Sequence, residues 1–134
     1  MFGTFQQSHL RIEVNASSTD IRDSLTNAGL VQQWLYPQTL SLSPAEHLSV
    51  GQTFTSQLGL ITIQHQVDVL DDTTLRLLMS QAVDGFHEWH WGDGWVQSSL
   101  AGVSMLPLNL AQTMNLLRLR LFLEQRTKTA AQRS

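Results

Sequence analysis

The sequence predicts an α+β fold in which a curved antiparallel sheet of about six to seven strands wraps around one long C-terminal helix, with two short helices after the first strand. Three observations predict it. Segments with apolar residues at every second position recur from residue 8 to residue 105, the mark of half-buried strands. The turns between them are short, which suits antiparallel meanders rather than crossovers. A single long apolar segment then closes the chain over 108–126, and a twisted sheet of this size needs such a helix on its concave side.

Residues 8–15, SHLRIEVN, alternate: Leu10, Ile12 and Val14 face one way, His9, Arg11 and Glu13 the other. A helix follows, with Ser18 as N-cap, Asp20 in the first turn, Ile21, Leu25 and Ala28 at helical spacing, and Gly29 at the position after the helix end. A second short helix spans Leu30 to Tyr36 and stops before Pro37. Strands are then expected at Thr39–Ser43, at Gln52–Leu58 and at 61–69, where Ile61, Ile63, His65, Val67 and Val69 share a face. Asp71-Asp72 turns the chain into a strand marked by Leu75, Leu77 and Met79, and Asp84-Gly85 turns it again. Phe86–Trp91 and Trp95–Met105 flank Gly92-Asp93-Gly94, read as a three-residue hairpin loop. Pro107 ends the sheet. In the last helix Asn109 is the expected N-cap, and Leu110, Met114, Leu117 and Leu121 form the expected buried stripe, widened by Leu116, Leu119 and Leu123. The reading is one domain over 1–126 with a flexible tail over 127–134.

Composition narrows the function classes. The 134 residues contain no cysteine, so no disulfide or thiolate metal site exists. Charged residues make up 14%, below the usual ~25%, while hydrophobic ones make up 42%. That combination suggests apolar surface facing something other than bulk water. The net charge of −3 argues against nucleic-acid binding. No apolar run reaches the ~18 residues of a membrane span, and the start, MFGTFQQSHLR, lacks the two regions of a signal peptide. A cytoplasmic protein is expected. The basic end (Arg118, Arg120, Arg126, Lys128 and Arg133 against Glu124) reads as cations complementing a helix C-terminus, or as a weak contact for an anionic partner.

The element order and several strings resemble the START-related superfamily, also called SRPBCC. These are VNAS after the first strand, Ile21-Arg22-Asp23, Gln33-Trp34-Leu35 before Pro37, LSVGQTF at 48–54, HQVDVLDDTTLRL at 65–77, and WGDGWVQSSLAG at 91–102. The superfamily includes the birch-pollen-allergen group, lipid-transfer START domains, polyketide cyclases and chaperone-activator-like domains. WGDGW followed by LPLNL at 106–110 is similar to uncharacterised bacterial members, cyanobacterial ones among them. The resemblance implies a helix-grip fold, with a ligand space between sheet and terminal helix, and brings no specific chemistry.

His65 is the candidate catalytic residue, because it holds an apolar-phase position where an imidazole needs a partner. It is read either as a satisfied core histidine or as a polar group that orients a ligand or moves a proton. HEWHW at 87–91 is not a zinc motif: its histidines are three apart, and on a strand they point to opposite faces. No metal and no cofactor are expected. A three-residue loop would put Trp91 and Trp95 on one face with Trp89, His87, Gln97 and Ser99. The tryptophans then fill the core, form a wall for a flat ligand, or make an exposed homodimer patch. Trp34 and Leu35 cap one end of any cavity, and Tyr36 is a candidate helper for His65. The full expected lining is Trp34, Phe54, Ile63, His65, Leu77, Met79, Trp89, Trp91, Trp95, Met114, Leu117 and Leu121.

The function expected is binding of a hydrophobic or amphipathic small molecule, such as a lipid, a pigment or a polyketide-like compound. The alternatives are a small cyclase, dehydratase or isomerase using His65 as acid or base, and a chaperone-activator-like interaction module suggested by QQWLYP at 32–37.

Overall fold

A computed structural model describes residues 3–133. Its strands are β1 (Thr4–Glu13), β2 (Thr39–Leu40), β3 (Thr53–Leu58), β4 (Ile61–Leu70), β5 (Thr74–Gln81), β6 (Val83–Gly92) and β7 (Trp95–Ser104). Its helices are α1 (Ser18–Thr26), α2 (Ala28–Leu35) and α3 (Leu108–Arg133). The strands form one seven-stranded antiparallel sheet in the order β1-β7-β6-β5-β4-β3-β2. Every neighbour except the β1–β7 pair is a sequence neighbour, as short turns demand. Helices α1 and α2 connect β1 to β2 along the chain and pack on each other, α1 also on β6 and α2 on β2, and α3 packs against β1, β7 and both short helices. This is the α+β helix-grip architecture expected.

Several local expectations are corrected. Ser17, not Ser18, caps α1, its hydroxyl accepting from Asp20 N. Asn27 ends α1 and caps α2 at once, its Oδ1 accepting from Leu30 N. Gly29 therefore lies inside α2, where a Cβ would sit 2.8 Å from the Pro44 carbonyl oxygen. The β5–β6 turn falls at Gln81, with φ 75°, and not at Asp84-Gly85. The first turn of α3 is served from β1: Gln6 Oε1 accepts from Leu108 N, while Asn109 turns its amide to Ser8 Oγ. Helix α3 also runs past residue 126 to Arg133, and Thr127 Oγ1 ties it to the Asn15 carbonyl at 2.7 Å.

The largest correction concerns which face of α3 is buried. Leu108, Gln112, Leu116, Leu119 and Leu123 lie under the helix, whereas Leu110, Met114, Leu117 and Leu121 are exposed, Leu117 by 47% and Leu121 by 67%. The helix carries two apolar stripes, and the buried one contains a glutamine. Gln112 makes that stripe read as broken, yet its amide is what the sheet bonds.

The apolar core is divided. One cluster gathers α1, α2, the distal half of α3 and the sheet around Leu75, Trp89, Trp91 and Val96. A second, smaller one holds Met79, Val83, Leu100 and Leu108. Among the described residues, no helix is long and apolar enough to cross a membrane.

Candidate functional site

A cavity of about 380 Å³ lies between the two clusters and draws its walls from both. Its floor is the concave face of β3–β7, through Phe54, Ile63, Leu75, Leu77, Met79, Trp89 and Leu100. Helices α1 and α2 close one side with Leu25, Ala28, Val31, Trp34 and Leu35, and α3 roofs it with Leu108, Ala111, Gln112 and Asn115. Leu58 and Leu110 also line it while staying exposed, so it opens between the β3–β4 hairpin and α3. Arg118 stands at that wall. Apolar walls with a few converging polar groups are the usual composition of a small-molecule site.

Of the twelve residues expected to line a site, eight line this cavity: Trp34, Phe54, Ile63, His65, Leu77, Met79, Trp89 and Met114. Trp34 and Trp89 meet edge to face at 6.3 Å, and Trp34 Nε1 donates to the Ser24 carbonyl at 2.8 Å. That bond locks the indole as an end wall.

Four residues are elsewhere. Leu117 and Leu121 are on the outer stripe of α3. Trp91 is fully buried in the main core, beyond the cavity. Trp95 is on the opposite face of the sheet from Trp91. The hairpin loop has two residues, Asp93 and Gly94, so Gly92 pairs with Trp95 and Trp91 with Val96. With one loop residue fewer, every side chain of β7 changes face. Trp95 therefore lies on the convex side under the Arg11 guanidinium, 4.3 Å from its ring centroid. Gly92 leaves room for that indole, since a Cβ there would sit 2.7 Å from Trp95 Nε1. Ser98 and Leu100, not Gln97 and Ser99, face the cavity side. The tryptophans form no exposed patch: Trp34, Trp89 and Trp91 are buried and Trp95 is half-covered. Tyr36 is 75% exposed and does not line the cavity, so it does not assist His65.

His65 does face the cavity. Its ring stacks on Phe54 at 4.8 Å, and its Nε2 is 2.9 Å from Ser56 Oγ. Its Nδ1 is buried with no hydrogen-bond partner among the described residues. The expected companion Val69 is turned outward, because a bulge between Val67 and Val69 shifts the register. Burial lowers the His65 pKa from 6.5 to about 4, because the charged ring loses its hydration.

A second imidazole was not among the expected site residues. His87 lines the same cavity, stacks on Trp89 at 4.4 Å, and bonds Ser98 Oγ through Nε2 at 2.6 Å. Burial, and then repulsion from His65, lowers its pKa to about 3. Both rings are thus neutral at neutral pH. Strand alternation puts His87 on the face of Trp89, as expected, but supplies no partner that would mark it out. His90, the other histidine of that string, is on the opposite face with Glu88 and Thr74.

No protein-family model matches the chain, and no curated protein matches it. Solved structures do. A protein from Chromobacterium violaceum, CV1439, superposes with a TM-score of 0.70 at 14% identity, over 88% of this chain and 97% of that one. The Aha1 dimer from Colwellia psychrerythraea gives 0.65 at 17% identity, over 89% and 96%. Truncated norcoclaurine synthase from Thalictrum flavum gives 0.63 at 15% identity, over 92% and 97%. At these identities the likeness is one of fold: the chain shares the helix-grip fold of these structures.

Proposed function

We propose that this chain binds a hydrophobic or amphipathic small molecule between its sheet and its C-terminal helix, without covalent chemistry. The observation that carries the reading is the division of the core by a 380 Å³ cavity with an apolar lining. A helix-grip chain with no ligand to hold would gain by closing that space, since unfilled apolar volume costs about 24 cal/mol per Å³. The neutral histidines fit the same reading, because they add polarity to the wall without adding charge. Native mass spectrometry and solvent extraction of the protein purified from its host test it. The expected result is a co-purified apolar compound in near-stoichiometric amount. A bare protein that also takes up no apolar probe would contradict it.

One observation favours a second reading, a small cyclase, dehydratase or isomerase with His65 as acid or base. His65 has a side-chain hydroxyl, Ser56 Oγ, beside it in an open cavity. Among the described residues no carboxylate lines that cavity to position the ring, and a general base usually relies on such a partner. Simple binding therefore ranks first.

A further inference from the structure

The hydrogen positions around Ser98 follow from geometry. Gln112 Nε2 lies 3.0 Å from the Ser98 carbonyl oxygen, 3.4 Å from the Ser8 carbonyl oxygen and 2.9 Å from Ser98 Oγ. Two carbonyl oxygens face the NH₂ end of an amide and repel its oxygen, so the orientation of Gln112 is fixed. An amide nitrogen accepts no hydrogen bond, so the Ser98 hydroxyl hydrogen points elsewhere. Among the described residues its remaining partner is His87 Nε2, at 2.6 Å. Ser98 is fully buried, where an unpaired hydroxyl hydrogen is costly. Nε2 therefore accepts, and the neutral ring carries its hydrogen on Nδ1. That atom has no protein partner among the described residues, and the ring lines the cavity with its plane held by Trp89.

We infer that His87 is a donor of fixed tautomer, presenting Nδ1–H to the carbonyl oxygen of a neutral, otherwise apolar ligand. The inference rests on the binding reading above and names the ligand class for it. The neutral ring itself offers a carboxylate no counter-charge against desolvation, so its donor suits a neutral acceptor. A hydroxyl group would bring a hydrogen of its own and need a second acceptor, such as His65 Nδ1 or Gln112 Oε1, in addition to the His87 donor. A carbonyl accepts one hydrogen bond and asks for nothing more.

The experiment has two parts. Nitrogen-15 spectra of the imidazoles should show His87 protonated at Nδ1 and bare at Nε2 in the unliganded protein. Binding is then compared for 2-acetylnaphthalene and 2-isopropenylnaphthalene, which differ in shape little and in the carbonyl oxygen chiefly. The ketone should bind about tenfold more tightly to the wild type, a factor that one hydrogen bond supplies. The preference should vanish in His87→Phe and shrink in Ser98→Ala, which keeps the ring but frees its tautomer. Should His87→Phe not fold, Ser98→Ala and the spectra carry the comparison. A hydrogen on Nε2, or equal affinity of the two probes for the wild type, overturns the inference and leaves the binding reading standing. If neither probe binds, that reading fails and the inference falls with it.

Discussion

Gln112 on α3 and Ser98 on β7 meet at 2.9 Å with both side chains almost wholly buried. Among the described residues the glutamine is the one polar residue on the buried stripe of α3 to bond the sheet in this way, and it sets the face that the helix presents. Gln112→Ala should cost about 2–3 kcal/mol, from the lost buried hydrogen bonds and the volume left behind. Urea denaturation measures it. A loss under about 0.5 kcal/mol, the range of ordinary surface changes, would mean that the helix is held by its leucines alone.

The two stripes of α3 give a paired test. Leu119 is 0% exposed and Leu117 is 47% exposed. Leu119→Ala should destabilise by about 2–5 kcal/mol, and Leu117→Ala by no more than about 0.5 kcal/mol. The reverse order would place the helix rotated about its axis.

This helix shows where the sequence was legible and where it was not. Strand alternation and short turns disclosed the sheet, because period two leaves no choice of face within a strand. The helix offered two apolar stripes of similar strength, and apolarity alone does not choose between them. The choice follows from Gln112, Gln6 and Ser98, which lie far apart in sequence and meet only after folding. The β6–β7 hairpin failed for a related reason. Gly92-Asp93-Gly94 has turn composition throughout, but Gly92 pairs with Trp95, and that one-residue difference moved Trp95 to the convex face. Likewise, Gln81 is not a turn-forming type, so the β5–β6 turn was placed at the more conventional Asp84-Gly85. His65 was legible because it broke an apolar row. The face of His87 was legible from its alternation with Trp89; its role was not, because its partner Ser98, and Gln112 behind it, come from β7 and α3.

The tryptophans separate the two faces of the sheet. Trp89→Phe should weaken binding of the neutral probe N-phenyl-1-naphthylamine about three- to tenfold, as an aromatic contact of about 0.5–1.5 kcal/mol is reduced. Trp95→Phe should leave the affinity unchanged, since its ring packs outside under Arg11. Fluorescence titration decides it, and an equal loss in both variants would contradict the assigned register.

Both cavity histidines have folded-state pKa values below the unfolded 6.5, at about 4 for His65 and about 3 for His87. The unfolded chain therefore binds protons that the folded one does not. Their contribution to stability is complete above the unfolded value and declines as pH falls from there towards the folded values. Each contributes a slope of up to about 1.4 kcal/mol per pH unit within that window. Denaturation between pH 7 and pH 4 should show a steeper decline in the wild type than in the His65→Phe, His87→Phe double variant. Identical slopes would show that the rings are already solvated when folded.

In the proposed function the space between the two core clusters holds an apolar ligand, and filling that space tests it directly. Leu77 lies on the cavity floor, so Leu77→Trp adds volume where there is room and avoids the usual overpacking cost of about 1–3 kcal/mol. Titration of N-phenyl-1-naphthylamine should show one saturable site in the wild type and at least about tenfold weaker binding in Leu77→Trp, with the melting temperature held or raised. Unchanged affinity in the filled variant, or binding that never saturates at one site, would place the ligand outside the cavity and contradict the account.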